Sequence, residues 1–196
     1  MFEFSPFLWN PQLNGAILTV ENIRLGFDTC LYAPTGGGKT EVAIELFRWA
    51  DAQQWCTAFY TNRKLLTEQT ARRFHKAGLD YGVRAAEFEH NENPQAAHQI
   101  CSAPTEHSRV VQRGTKILHP AQLVVIDEIH LQSADTMQNL VRLHKEAGAK
   151  AIVGLTATPI GVNHMFDKLV ISGRLAEYRE CGAIVPAQVK CIEQPD

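Results

Sequence analysis

The sequence predicts an α/β fold: a mainly parallel central sheet with helices on both faces, a three-layer sandwich. Three observations carry this. Short β-branched runs alternate with longer amphipathic ones. Several of the short runs are apolar at successive positions, as strands are when both faces of their sheet are covered. A glycine-rich turn, APTGGGKT at 33–40, stands between one such run and an amphipathic stretch.

Taken in order, the predicted strands are TCLYA at 29–33, CTAFYT at 56–61, VRAAEF at 83–88, HQICS at 98–102, LVVID at 123–127 and AIVGLT at 151–156. Between the first two, Val42, Ala43, Leu46, Phe47 and Ala50 share one helical face. A second stripe, Ala134, Met137, Leu140, Val141 and His144, runs until Gly148 ends it. Both stripes are core faces rather than ligand contacts. Asn62 is placed to cap a helix that begins at Arg63 and Lys64. The polar stretch EHNENPQAA around Pro94 is the best candidate for a long surface loop.

The 196 residues allow one sizeable domain and are too few for two of ordinary size. A hydrophobic content of 45% against 20% charge places the chain among ordinary globular proteins. No apolar run reaches the length of a membrane span. The start, MFEFSPFLWNPQ, has no basic segment and no small-residue cleavage site, so the expected location is intracellular, in the cytoplasm, with no membrane partner. The five cysteines are scattered with no Cys-x-x-Cys pair, and three fall in apolar, strand-like stretches that suit buried thiols. No His or Cys spacing suits a structural metal. A net charge of −2 excludes binding to nucleic acid by bulk electrostatics, so any such contact must be a local patch.

The glycine-rich turn points to phosphate. Gly36, Gly37 and Gly38 let backbone amides turn inward where a side chain would block approach. The following helix adds the unsatisfied amides of its N-terminus. Pro34 and Thr35 complete the loop, Lys39 is placed to reach the β- and γ-phosphates of ATP, and the Thr40 hydroxyl to ligate Mg²⁺. The first position is Ala33 and not glycine, so the pattern is the relaxed form. Downstream, LVVIDEIH ends a strand in two carboxylates. Asp127 lies at the carboxyl end, where a parallel sheet presents ligands, and can hold Mg²⁺; Glu128 is placed as general base toward an attacking water. Lys39, Asp127 and Glu128 form the expected catalytic set.

APTGGGKT, DEIH and LTATP (155–159) resemble, in this order and spacing, motifs I, II and III of superfamily 2 (DEAD/DEAH-box-like) helicases and translocases. YTNRKLLTEQ at 60–69 resembles motif Ia of the same proteins, and CGAIVPAQV a later stretch of the RadD-like and restriction-translocase branch. The resemblance implies a RecA-like P-loop NTPase lobe over residues 1–182. Residues 183–196 would then lead toward a second RecA-like lobe, which would supply the arginine finger. It implies an ATP hydrolase coupled to nucleic acid, DNA more than RNA, and slow when the lobe stands alone. By the same resemblance His130, Thr156 and Thr158 would couple nucleotide state to nucleic-acid grip. Arg63 would contact the nucleic-acid backbone, with Thr105 and Arg109 as further candidates. Gln12 stands where related proteins place a glutamine that reads adenine, although the usual preceding arginine is absent; a surface amide is the competing reading. Phe7 and Trp9 suit either base stacking or, preferably, core packing. For Arg72, Arg73 and Lys76 a solvated helix face is preferred. A competing function from another class is an ATP-binding regulatory module that acts through a protein partner.

Overall fold

The computed structural model describes residues 2–86, 88, 93–131, 134–162 and 164–185. Helix α1 (Asn10–Arg24) leads into β1 (Thr29–Tyr32), and α2 (Lys39–Ala52) into β2 (Thr57–Thr61). Next come α3 (Lys64–Lys76), β3 (Tyr81–Arg84) and β4 (His98–Ser102). Helix α4 (Ala103–Glu106) continues into a π-helical turn, His107–Gln112. The chain closes with β5 (Leu123–Ile126), a 3₁₀ turn (Ile129–Leu131), α5 (Ala134–Glu146), β6 (Ala151–Thr156), β7 (Lys168–Ile171) and α6 (Leu175–Glu180).

Seven strands form one parallel sheet in the order β3-β4-β2-β5-β6-β1-β7. One face carries an apolar cluster from α1, α2 and α3, including Ala16, Val20, Leu46, Phe47 and Phe74. Phe47, Phe59 and Phe74 meet edge-on there, with ring centroids 5.1 to 6.2 Å apart. The other face packs Met137 and Leu140 of α5 against Tyr60, Val124, Ile126 and Ile152. Strands buried on both faces are apolar throughout, which is why β2, β5 and β6 read as continuous runs. His144, predicted to lie on the core stripe, is fully buried and its Nε2 shares a hydrogen bond with the Tyr60 hydroxyl at 2.8 Å. Burial holds its ring neutral, with a pKa lowered to about 4.

Three expectations are corrected. Strand β3 occupies 81–84 instead of 83–88, because Tyr81 pairs with His98 and Arg84 with Cys101 in register. Asn62 does not cap α3: the capping position is Arg63, and the Asn62 amide instead reaches the Leu131 carbonyl at 3.5 Å. Phe7 does not pack in the core; it is 91% exposed. Helix α1 and strand β7 were not foreseen. Of the polar stretch around Pro94, residues 89–92 lie outside the described residues, as do residues 186–196 and with them Cys191 and most of the C-terminal segment.

Strand order positions the site. β6 lies between β1 and β5, so the loop after β1, the carboxylates after β5 and the end of β6 emerge side by side at the carboxyl edge.

Candidate functional site

The phosphate loop leaves β1 at Ala33, whose amide bonds the Thr156 carbonyl at 3.1 Å. Gly36 and Gly38 adopt positive φ (79° and 75°), conformations that L side chains rarely take. Gly37 turns back so that its amide reaches the Pro34 carbonyl at 2.8 Å. Helix α2 begins at Lys39; the Gly38 carbonyl takes the amides of Glu41 and Val42, while those of Lys39 and Thr40 precede the first intrahelical bond. Pro34 and Gly37 are buried, Thr35 and Gly36 exposed, and Thr40 lies on the first turn of α2.

Gln12 is not a surface amide. It is 3% exposed, its Nε2 donates to the Gly37 carbonyl at 3.1 Å, and its Oε1 accepts the Trp9 amide at 3.1 Å. A Cβ on Gly38 would displace the end of this side chain, but it is the positive φ that calls for glycine there. Around it, Ser5, Phe7, Leu8, Trp9, Glu41 and Arg73 line part of a cleft of about 320 Å³. Arg73 is exposed, as expected of a solvated helix face, and lies 3.2 Å from Glu41.

Asp127 and Glu128 leave β5 opposite the loop. Glu128 is a non-glycine residue at φ 45°. That left-handed geometry costs roughly 1–2 kcal/mol and must be held by its surroundings. What holds it is visible: its amide bonds the Asp127 Oδ1 at 3.0 Å, its Oε1 lies 3.2 Å from Lys39 Nζ, and its Oε2 lies 3.5 Å from His130 Nδ1. Burial first, and then the charge of Glu128, push the Asp127 carboxyl up to about 6, against a smaller opposing pull from Lys39.

His130 joins this cluster to β6. Thr156 Oγ1 donates to the Thr158 carbonyl at 3.0 Å and accepts the Thr158 amide at 2.9 Å. With its one proton committed, it must accept from His130 Nδ1, 2.9 Å away. His130 therefore carries its proton on Nδ1, facing both Thr156 and Glu128. Lys39, Glu128, His130, Thr156 and Thr158 thus form one connected chain of contacts.

The residues predicted to meet nucleic acid are placed differently. Arg63 and Lys64 are exposed at the start of α3. Lys64 and Thr67 share a hollow of about 140 Å³ with Ser102 and Thr105, whose hydroxyl reaches Ser102 Oγ at 3.1 Å. Arg109 lies apart from that hollow. It lines, with Arg84, Lys116 and the buried Glu106, a small cavity of about 20 Å³. Glu106 is paired with Arg84 at 3.0 Å, and burial raises its pKa. Sequence reasoning missed this buried pair, since neither residue has a signalling neighbour in the chain.

The sequence signature described as Type III restriction enzyme, res subunit, matches residues 16–161. No curated protein matches the chain. Among solved structures, the UvsW helicase from Bacteriophage T4 is 15% identical, with a TM-score of 0.68 over 82% of this chain and 58% of that one. The Pyrococcus furiosus Hef helicase domain is 16% identical, with a TM-score of 0.66 over 89% and 41%. The Sulfolobus solfataricus SWI2/SNF2 ATPase core in complex with dsDNA is 20% identical, with a TM-score of 0.58 over 81% and 34%. The chain therefore spans between a third and three fifths of the length of these structures. It belongs to the type III restriction enzyme res subunit family and has the fold of the first RecA-like lobe of superfamily 2 helicases. No described helix is long and apolar enough to cross a membrane.

Proposed function

We propose that this chain is the ATP-binding first motor lobe of an ATP-dependent helicase or translocase acting on nucleic acid, DNA rather than RNA. Residues 1–182 form the nucleotide-binding domain, and the segment from 183 leads toward a second RecA-like lobe in the same chain or a partner. The observation that carries this reading is the contact chain from Lys39 through Glu128 and His130 to Thr156 and Thr158. A passive ATP binder has no use for a carboxylate held at unfavourable φ between the phosphate-loop lysine and a relay to the next strand. The preference for DNA rests on the family's description and on the dsDNA complex of the Sulfolobus solfataricus relative.

The donor set fits Mg²⁺–ATP. Gly36, Gly37 and Gly38 add no side chain of their own to the cradle, Gln12 stands at its rim beside the cleft for a base, and Pro34 and Thr35 form its outer turn. Asp127 and the Thr40 hydroxyl would hold Mg²⁺; a cation there offsets the two causes that raise the Asp127 pKa, burial and the neighbouring Glu128 charge. When bound, Mg²⁺ supplies neutralisation of charge on the β- and γ-phosphate oxygens. With ATP bound, Lys39 would pair with a phosphate oxygen in place of Glu128, and Glu128 would then be free to accept a proton from the attacking water. His130, bonded to Thr156 and in contact with Glu128, transmits that change to the end of β6. Arg63, Thr105 and Arg109 supply the nucleic-acid side, through backbone contacts that do not read sequence.

The test is ATP turnover by a polypeptide that joins this lobe to its second lobe, with single-stranded DNA, duplex DNA and RNA each added. Stimulation by DNA is the expected result. Turnover that no nucleic acid changes would contradict the motor reading, and stimulation by RNA alone would overturn the choice of polymer.

A further inference from the structure

We infer that Tyr178, in α6, is a positioning residue that holds the phosphate loop in its binding geometry. The inference rests on the nucleotide reading of that loop and deepens it. Tyr178 is fully buried, yet it belongs to neither of the two apolar clusters that flank the sheet. Its ring lies instead against Gly37: a Cβ built on that glycine would stand 3.1 and 3.2 Å from the ring carbons Cε1 and Cζ.

The hydroxyl end is anchored as firmly as the ring. Ser172 Oγ donates its proton to the Tyr32 carbonyl at 2.8 Å, so the Tyr178 hydroxyl, 2.7 Å away, must be the donor to Ser172. Tyr32 is the last residue of β1, the strand that feeds the loop. The hydroxyl end of the ring thus both rests on the middle of the loop and is tied through Ser172 to its base. Behind it, the Ile184 amide bonds the Tyr178 carbonyl at 3.1 Å, and Ile184 Cγ1 lies 3.9 Å from a Cβ built on Gly36.

Gly37 is where such a restraint matters. It sits between two glycines at positive φ, which leave the backbone its greatest freedom on both sides. Three restraints meet at it: its amide on Pro34, its carbonyl on the Gln12 amide, and its Cα against the Tyr178 ring. Two come from elements distant in sequence, α1 and α6. A loop ordered before its ligand arrives spends less binding energy on ordering, so loss of the ring should appear in affinity.

The experiment titrates Mg²⁺–ATP calorimetrically into the chain and its variants well below their melting temperatures, with a thermal melt of each. Tyr178→Phe keeps the ring on Gly37 and should bind within about twofold of wild type. Tyr178→Leu should bind about five- to tenfold more weakly, the scale of losing one preorganising element. If Tyr178→Leu does not fold, Tyr178→Met takes its place with the same expectation. A folded Leu or Met variant with affinity within about twofold of wild type overturns the inference, whatever its melting temperature. Equal weakening by Phe and Leu also overturns it, since the ring would then not be the active part. A wild-type chain that takes up no Mg²⁺–ATP overturns the nucleotide reading itself, a result distinct from either.

Discussion

The carboxyl edge of the sheet is built in two ways. At the ends of β1, β6 and β5, charged and polar groups are joined by short contacts, from Lys39 to Glu128, from His130 to Thr156, and from Gln12 to Gly37. At the ends of β2 and β4, Arg63 and Lys64 stand exposed, and the Thr105 hydroxyl turns to its neighbour Ser102. The first region is organised by the lobe itself. The second is a surface whose geometry a polymer and a second lobe would complete. Substitutions in the first region should therefore act strongly and on chemistry or nucleotide, and those in the second weakly and on nucleic acid.

The largest effect should come from Glu128→Gln. In the two-lobe protein it should lower ATP turnover by roughly 10²- to 10⁴-fold, the scale of losing a general base, while calorimetry shows nucleotide binding retained. Lys39→Ala should weaken Mg²⁺–ATP binding by roughly 10- to 150-fold, the scale of a charge-assisted hydrogen bond. It also removes a charge that stabilises the ionised Asp127, so the Asp127 pKa should rise further, as NMR titration of the carboxyl would show.

The pH dependence of the first region follows from Asp127, raised from 3.8 to about 6 in the fold. A raised folded pKa means that the group's stabilising contribution is full below 3.8 and is lost as pH rises through 6. The chain without Mg²⁺ should thus lose this contribution between those values, as melts across that range would record. Mg²⁺ takes the ionised form, so Mg²⁺–ATP affinity should run the other way, falling about tenfold for each unit of pH below 6. In the second region, Arg63→Ala should reduce nucleic-acid affinity only a few-fold and make log K against log salt shallower by about 0.9 for duplex DNA, one phosphate's worth. A larger loss there than at Lys39 would erase the contrast between the regions.

How much of this was legible in the sequence follows the same division by range. APTGGGKT and DEIH are contiguous, and their chemistry depends on neighbours along the chain; the strands beneath them read clearly because both their faces are apolar. Helix α1 was not legible. It carries Gly15 mid-helix, a helix-weakening residue present because a Cβ there would lie 2.8 Å from that of Ser172, 157 positions away in sequence. Strand β7 is four residues at a sheet edge with Leu169 and Ile171 half exposed, too short for any period to show. Tyr178 and the seat of Gln12 depend wholly on which elements meet at Gly37. Those contacts are set by tertiary packing and have no local signature.

The most direct test of the central claim, that this lobe alone assembles a nucleotide half-site, is calorimetric titration of Mg²⁺–ATP into the 196-residue chain beside its Lys39→Ala variant. The account predicts saturable one-site binding that the variant loses or weakens by roughly an order of magnitude or more. No binding by the wild type, or equal affinity in the two proteins, would contradict it.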